Sequence, residues 1–144
     1  MKKMPPIEKV YEAWTALADG RVNMHDDYAT VASSDGEKEY IVKYSGNQYS
    51  SDDNATFWQG YPGYPVIAVL MLQGKLPYDK EEAKLWKNIN WTELNKKYRN
   101  KYSDAVARIA EERDINQERA AEAAQAVMQI LSNLPIEIKR KIKS

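Results

Sequence analysis

The first part of the chain has the spacing of an amphipathic helix. Its apolar residues recur every three or four positions, at Ile7, Val10, Tyr11, Trp14 and Leu17. Pro5-Pro6 precedes this pattern and Asp19-Gly20 follows it, which are the residue types that begin and end helices. The spacing predicts a helix over residues 6–19.

The next segment changes to the alternating pattern of β-strands. Residues 28–33 and 39–44 are rich in β-branched and aromatic side chains, and Ser34-Asp35-Gly36 between them is a typical hairpin turn. We predict two antiparallel strands joined at this turn. A weaker pattern over residues 21–24 indicates a third strand.

Residues 45–56 are polar and turn-forming, and they lead into the most aromatic part of the sequence, residues 57–65. Within residues 49–64, which we call the aromatic bend, five aromatic side chains occur: Tyr49, Phe57, Trp58, Tyr61 and Tyr64. Pro62-Gly63 fits the two central positions of a type II turn, where proline presets φ and glycine accepts a positive φ. We expect this turn to direct Tyr61 outward and Trp58 inward.

The remainder of the chain is predicted to be helical. Pro65 can begin a buried helix over Val66–Leu72, ended by Gly74. Capping residues then predict four further helices, which begin at Asp79, Asn90, Ser103 and Asn116. The last one has an apolar stripe at Ala120, Ala123, Ala124, Val127, Ile130, Leu131 and Leu134. The fold class is therefore α+β: an N-terminal helix, a small antiparallel hairpin sheet, and a C-terminal bundle of four to five helices, in one domain spanning residues 1–144.

The composition is that of an ordinary folded protein. Apolar residues make up 43% of the chain, and 21 basic residues balance 21 acidic ones, so no overall charge attracts nucleic acid or an anionic membrane. There is no cysteine, and acidic and basic residues interrupt the start of the chain where a signal peptide would need an apolar run. We expect a cytoplasmic protein whose oligomeric state is open, a homodimer included.

Residues typical of metal or nucleophilic catalysis are scarce. The single histidine, His25, would need carboxylates such as Asp26 or Asp53 to bind a metal, and their spacing matches no metal-binding motif. The chain has no G-x-S-x-G motif and no phosphate-binding glycine loop. We therefore expect no metal and no cofactor, and an enzyme that uses acidic residues ranks third among the functions considered.

Residues 108–124 resemble the helix-turn-helix pattern of transcriptional regulators. Ile109-Ala110, Ile115 and Asn116-Gln117 occupy the positions of its first-helix apolar pair, its turn hydrophobe and the start of its second helix. Asp114 replaces the usual turn glycine, and Glu118 and Glu122 place carboxylates where phosphates would lie. The resemblance implies nucleic-acid binding through residues 104–125, which is the second function considered.

Basic and aromatic residues also alternate in the middle of the chain. Six basic residues accompany Trp86, Trp91, Tyr98 and Tyr102, namely Lys84, Lys87, Lys96, Lys97, Arg99 and Lys101. Such a mixture can stack on single-stranded nucleic acid. Leu85, Ile89 and Leu94 share helix faces with the aromatics, so we interpret the segment as core with lysines on the solvent side.

The aromatic bend is the preferred site. Tyrosine and tryptophan are the residue types that binding surfaces use most, because they offer large areas with few rotatable bonds. The five aromatic side chains of the bend do not all fit inside a loop flanked by Asp52, Asp53 and Asn54, so part of the segment should be exposed. The sequence predicts a small binding domain whose protein or small-molecule ligand contacts Tyr49, Asp52, Asp53, Trp58, Tyr61 and Tyr64.

Overall fold

The computed structural model describes residues 3–142 and shows there a mixed fold with a five-stranded sheet and seven helices. The strands are Val22–Met24 (β1), Tyr28–Ala32 (β2), Glu39–Ser45 (β3), Gln48–Ser51 (β4) and Glu137–Ile138 (β5). The α-helices are Glu8–Ala18 (α1), Tyr64–Leu72 (α2), Lys80–Leu85 (α3), Trp91–Lys97 (α4), Tyr102–Arg113 (α5) and Gln117–Asn133 (α6), and a π-helix spans Ala55–Gln59. The predicted combination of helices with a sheet is confirmed.

The predicted hairpin is confirmed. β2 and β3 are antiparallel, with Tyr28 opposite Lys43 and Ala32 opposite Glu39. Gly36 in the connecting turn has φ +74°, a conformation that residues with a Cβ rarely adopt. The weaker strand prediction is confirmed as well, because β1 pairs antiparallel with β2.

The sheet is larger than the sequence predicted. β4 lies within the polar segment that was interpreted as turn-forming, and it pairs with β3 across the tight turn at Gly46-Asn47. β5 adds to the edge of β4 as a parallel strand, where the backbone N–H groups of Glu137 and Lys139 donate to the carbonyls of Asn47 and Tyr49, each at 2.8 Å. β5 depends on pairing with a segment far away in the chain, and β4 depends on pairing across a tight turn rather than on an apolar pattern of its own.

Helix α2 is buried as predicted. Val66, Val69 and Leu70 are completely inaccessible, because α2 packs between the sheet on one side and α1 on the other. Residues 65–71 of this helix have no solvent-facing side, which explains the lack of polar residues there. None of the helices within residues 3–142 is long and apolar enough to cross a membrane.

Helix α1 is the centre of the helical part of the fold. It contacts α2, α3, α5 and α6. The Trp14 and Tyr11 side chains on α1 pack against Trp86, which in turn stacks on Trp91 at the start of α4. We call these four residues the aromatic core.

The predicted helix starts are largely confirmed. The side chains of Asp79, Asn90 and Asn116 each accept a hydrogen bond from the backbone N–H three residues later, as N-caps do. Helix α5 begins at Tyr102, one residue before the predicted start, and has no side-chain cap.

Three apolar side chains predicted to pack inward from helices are exposed. Leu72 lies at the end of α2, after its buried residues. Leu85 precedes the buried Trp86, and because adjacent residues on a helix do not share a face, Leu85 faces solvent. Ile130 lies at the edge of the α6 stripe, whose buried centre consists of Ala120, Ala124, Val127 and Leu131.

Candidate functional site

A cleft of about 710 Å³ opens between α1, α4 and the segment that connects β4 to α2. Its walls carry five charged side chains together with tyrosines, tryptophans and amides. The lining residues are Lys9, Glu12, Arg21, Ser34, Tyr40, Asp53, Asn54, Ala55, Trp58, Gln59, Tyr61, Tyr64, Trp91, Thr92, Asn95, Lys96, Asn100 and Tyr102. We refer to this cavity as the cleft.

An ion pair from α1 forms the floor of the cleft. Lys9 Nζ donates to Glu12 Oε2 at 3.2 Å, and both side chains are about nine-tenths buried, with 12% and 8% exposed. The Lys9 ammonium also lies 4.6 Å from the centre of the Tyr102 ring. Residues three apart lie on neighbouring parts of a helix surface, so α1 itself brings the two charges together.

Burial and pairing act on these two groups in opposite directions. Burial alone would lower the pKa of Lys9, but the Glu12 carboxylate and the Tyr102 phenol raise it, and this pKa ends above its ordinary value. Burial raises the pKa of the Glu12 carboxyl, and the Lys9 ammonium only partly offsets this effect. The floor of the cleft therefore holds a charged amine beside a carboxyl that is easily protonated.

Arg21 lies at the end of the cleft nearest the sheet. One guanidinium nitrogen, Nη1, donates to the Ala32 carbonyl, and Nε lies 3.5 Å from Asp19 Oδ2. Nε and Nη2 have almost no accessible surface and donate no hydrogen bond of good geometry in the described chain. Burial raises the pKa of the neighbouring Tyr64 phenol, and the charge of Arg21 opposes that effect.

A network centred on Asp53 fixes the segment that forms the second wall. The Thr56 amide and the Thr56 hydroxyl both donate to Asp53 Oδ2, at 3.0 and 3.1 Å, and the Ser51 hydroxyl donates to Oδ1. The Gly63 amide donates to Thr56 Oγ1 at 2.9 Å. The Asp53 carboxylate therefore connects the start of this segment to its end.

The predicted type II turn at Pro62-Gly63 is wrong. Gly63 has φ −76° and ψ 178°, an extended conformation, whereas a type II turn needs a positive φ at that position. Glycine is required for another reason: a Cβ on Gly63 would lie 2.2 Å from Asp53 Oδ2. The absent side chain makes room for the carboxylate.

The π-helix reverses the predicted directions of two aromatics. Trp58 is 64% exposed, whereas the sequence indicated that it faces inward, and Tyr61 is half-buried, with its phenol pKa raised by burial. A π-helix accommodates one extra residue per turn, so the side chains that follow point in other directions than α-helical spacing predicts. Both side chains line the cleft.

Helix α4 and the turn after it form the opposite wall. Trp91 is anchored below the cleft, because its indole N–H donates to Thr15 Oγ1 of α1 at 2.8 Å. At the end of α4, Arg99 and Asn100 both have positive φ angles, 52° and 62°. Consecutive left-handed residues that are not glycine are uncommon and often occur at functional sites. This turn places the Asn100 amide on the cleft.

Four of the six predicted site residues come together in the cleft: Asp53, Trp58, Tyr61 and Tyr64. The other two lie elsewhere. Tyr49 is buried beneath the sheet, where its hydroxyl donates to Gln73 Oε1 at 2.6 Å. Asp52 is exposed beside β3 and accepts a hydrogen bond from the Ile41 amide at 2.8 Å. The alternation of side chains turns Asp52 away from its neighbour Asp53, whereas Tyr49 lies four residues, about 13 Å of extended chain, before Asp53.

Other elements contribute residues to the cleft that were not predicted from the sequence, above all Lys9, Glu12, Arg21, Tyr40 and Asn95. A local signal existed for two of them. Glu12 lies between Tyr11 and Trp14 in a helix that is buried over residues 10–16, and Lys9 at the i−3 position is its natural partner. Arg21 and Asn95 had no such signal, because only the tertiary fold brings them near α1.

The other sequence-predicted sites take different positions. His25 is exposed and stacks on Tyr28 at 4.4 Å, and no three His, Asp or Glu side chains among residues 3–142 are grouped to hold a metal ion. The basic side chains of residues 84–101 are exposed, while Trp86 and Trp91 are buried, as interpreted from the sequence. Glu118 and Glu122 are exposed on α6, and Asp114 adopts the left-handed conformation of a helix-turn-helix turn, with φ 54°.

A family model described as "Uncharacterised conserved protein UCP014422" matches residues 2–137. The chain belongs to this family. The matched range contains every residue that lines the cleft. No curated protein and no solved structure is significantly similar to the chain.

Proposed function

We propose that the protein is a binding domain that takes a small polar molecule into the cleft. One observation carries this proposal: side chains with unused hydrogen-bonding groups converge on a single cavity. Six of them make no side-chain hydrogen bond within the described chain, namely Tyr40, Asn54, Gln59, Tyr61, Asn100 and Tyr102. Groups of this kind in a concave site fix the orientation of a ligand.

The dimensions and construction of the cleft favour a small molecule over a protein partner. Its volume of about 710 Å³ lies within the range of about 300–1,000 Å³ that ligand pockets occupy. The Lys9–Glu12 pair at its floor is too deeply buried for a flat protein surface to reach. The network of Asp53, Thr56 and Gly63 holds one wall in place before any ligand arrives, which lowers the entropic cost of binding.

Filling the cleft tests the proposal. Ala55 lines the cleft on the π-helix, so Ala55→Trp should occupy ligand space, whereas Ala126→Trp adds the same bulk to an exposed position on α6. We expect a thermal-shift screen of small polar molecules to find compounds that stabilise the wild type and the Ala126→Trp variant, but not the Ala55→Trp variant. Equal stabilisation of both variants would show that the ligand binds outside the cleft.

A second candidate function is acid–base catalysis in the same cleft. The Glu12 carboxyl has a raised pKa and lines the cleft together with Asp53, whose charge contributes to that shift. A carboxyl with a raised pKa that shares a cleft with a second carboxyl is a common arrangement of general acid and base. Turnover of a bound compound that is lost in Glu12→Gln while binding persists would favour this function over simple binding.

Two further expectations accompany the proposal. We do not expect the α5–α6 pair to bind nucleic acid tightly, because the exposed carboxylates of Glu118 and Glu122 would repel phosphates. Gel-shift titration at about physiological salt tests this, and a sub-micromolar sequence-selective complex would contradict it.

We also expect one domain, since a single apolar core extends from α1 to α6, and a cytoplasmic location, since the chain has no cysteine.

A further inference from the structure

We propose that the ligand of the cleft is a neutral saccharide of one or a few rings, held by stacking on Trp58 and by hydrogen bonds from amide and phenol side chains. This inference deepens the proposed function and rests on it. Three properties of the cleft support it: the kind of its free polar groups, the state of its charges, and the placement of one exposed indole.

The free polar groups of the cleft both donate and accept hydrogen bonds. Amides carry an N–H₂ group and a carbonyl, and protonated phenols carry an O–H group with lone pairs. Burial raises the pKa values of Tyr40 and Tyr61, which keeps both phenols protonated at neutral pH. Ligand hydroxyls also donate and accept, so they are matched by such groups, whereas a carboxylate or phosphate needs donors alone.

The charged groups inside the cleft are already engaged by the protein. Lys9 is paired with Glu12, and Arg21 lies against Asp19 and the Ala32 carbonyl. The Asp53 carboxylate accepts hydrogen bonds from Ser51 and Thr56. The remaining lining cation in the described chain, Lys96, is exposed at the rim, where it interacts with Asp35. The two Arg21 nitrogens without a hydrogen-bond partner have almost no accessible surface, so an anionic ligand would find no accessible unpaired cation in the interior, and a neutral ligand is favoured.

Trp58 provides a preformed apolar surface at the mouth of the cleft. Its ring meets Phe57 edge-on at 4.8 Å, and the Arg140 guanidinium lies 5.4 Å from its centre, so the indole is held although 64% of it is exposed. Aromatic faces of this kind pack against the C–H groups of a sugar ring while hydroxyls at the ring edges reach polar side chains.

The free polar groups also come from several directions. Asn54 and Gln59 lie on the π-helical wall, Tyr40 lies on the sheet, and Asn100 and Tyr102 lie at the end of α4 and the start of α5. Saccharide hydroxyls radiate from the whole ring, whereas a nucleobase has its polar atoms only in one plane. The arrangement therefore fits a saccharide better than a free nucleobase.

The test is a binding survey on the full-length protein. An array of neutral mono-, di- and trisaccharides identifies the best binder, whose affinity is then measured by calorimetry beside those of sodium phosphate, citrate and adenosine monophosphate. Two cleft variants, Trp58→Ala and Gln59→Ala, are compared with two matched variants of exposed residues outside the cleft, Tyr28→Ala and Gln125→Ala. Because all four residues are exposed, the variants should remain folded.

We expect at least one neutral saccharide to bind and Trp58→Ala to weaken it by about tenfold or more, while Tyr28→Ala changes the affinity by less than about twofold. Raising the salt concentration from about 0.05 to about 0.5 M should change Kd by less than about threefold, because a neutral ligand has no charge to screen. If phosphate, citrate or the nucleotide binds instead, and Ala55→Trp abolishes that binding, the saccharide inference is wrong and the proposed function stands. If nothing binds in the cleft, both are wrong.

Discussion

Tryptophan and tyrosine side chains gather at two places in this protein, the aromatic core and the cleft, and they are used differently in each. In the aromatic core the rings pack on one another, with Tyr11 and Trp86 4.7 Å apart, and all four residues are at most 4% exposed. In the cleft, Trp58 is largely exposed. One lysine amine lies over the Tyr61 ring and another lies over the Tyr102 ring.

The polar atoms of the two groups also differ. In the core, the indole N–H of Trp86 donates to Glu82 Oε2 at 3.3 Å, and that of Trp91 donates to Thr15 Oγ1 at 2.8 Å. Among the three tryptophans of the aromatic core, Trp14 is the exception, since its Nε1 is buried without a partner in the described chain. In the cleft, the phenols of Tyr40, Tyr61 and Tyr102 have no hydrogen-bond partner in the described chain, yet each borders open space. Abundance of aromatics alone does not identify a binding site; aromatics with unsatisfied and accessible polar atoms do.

The largest expected effect lies in the aromatic core. Trp86→Ala removes a completely buried ring that contacts Tyr11, Trp14 and Trp91, and we expect it to lower the free energy of unfolding by about 4 kcal/mol. Urea denaturation measures this loss. Trp86→Phe is the control, because it keeps a ring in the site and should cost less. A loss below about 1 kcal/mol for Trp86→Ala would mean that the core is not the stabilising region we describe.

The Lys9–Glu12 pair tests whether the floor of the cleft is as important for stability as the core. Lys9→Met leaves the buried Glu12 carboxylate without its cation, and we expect a loss of about 3 kcal/mol at neutral pH. The matched control is Lys84→Met, since Lys84 and Glu81 form an ion pair with the same spacing at 3.3 Å on the surface, and breaking such a pair costs less than about 1 kcal/mol.

The same variant has a defined pH dependence. The folded-state pKa of Glu12 is raised, so its contribution to stability is fully present below the ordinary value of 4.5 and is lost as the pH rises through the folded value. Without the Lys9 charge that pKa rises further, so the stability deficit of Lys9→Met should be small at acid pH and grow toward neutral pH. A deficit that is independent of pH would indicate lost packing rather than an unpaired carboxylate.

The aromatic core should lose a smaller amount of stability at alkaline pH, where Tyr11 ionises. Burial raises the pKa of Tyr11 from 10.0 to about 12. The stability that the protonated Tyr11 phenol contributes to the folded protein is therefore fully present below pH 10. As the pH rises to about 12, this contribution is lost, by on the order of 2 kcal/mol. We expect Tyr11→Phe to reduce the slope of unfolding free energy against pH in this range. The slope is measured by urea denaturation at several pH values, and an unchanged slope would contradict the assignment to Tyr11.

The smallest expected effect on stability belongs to the cleft. Trp58 is 64% exposed and its ring meets Phe57 and Arg140, so Trp58→Ala should change the free energy of unfolding by less than about 0.5 kcal/mol. The same urea titration used for Trp86→Ala provides the measurement. A loss of several kcal/mol would place Trp58 in the core and remove the contrast between the two regions.

Much of the fold could be predicted from the sequence because it depends on local patterns. The spacing of Val10, Tyr11 and Trp14 predicts α1, the turn at Ser34-Asp35-Gly36 predicts the β2–β3 hairpin, and Asp79, Asn90 and Asn116 mark helix starts through hydrogen bonds that span three residues. The apolar run of α2 similarly predicts burial. These features involve neighbours in the chain, so neighbours in the sequence carry the information.

The tertiary structure decided the rest. β4 and β5 form only because β4 pairs with β3 and the distant C-terminal segment pairs with β4. The cleft likewise joins Lys9, Arg21, Asp53 and Asn95, which no local rule connects, and the π-helix sets the direction of Trp58 against the helical spacing. The sequence alone determined that aromatic and polar residue types occur together in the segment around Trp58 and Tyr61. The helices and strands that surround a tyrosine or tryptophan decide whether it is buried in the core or exposed on the wall of the cleft. These elements are far away in the chain.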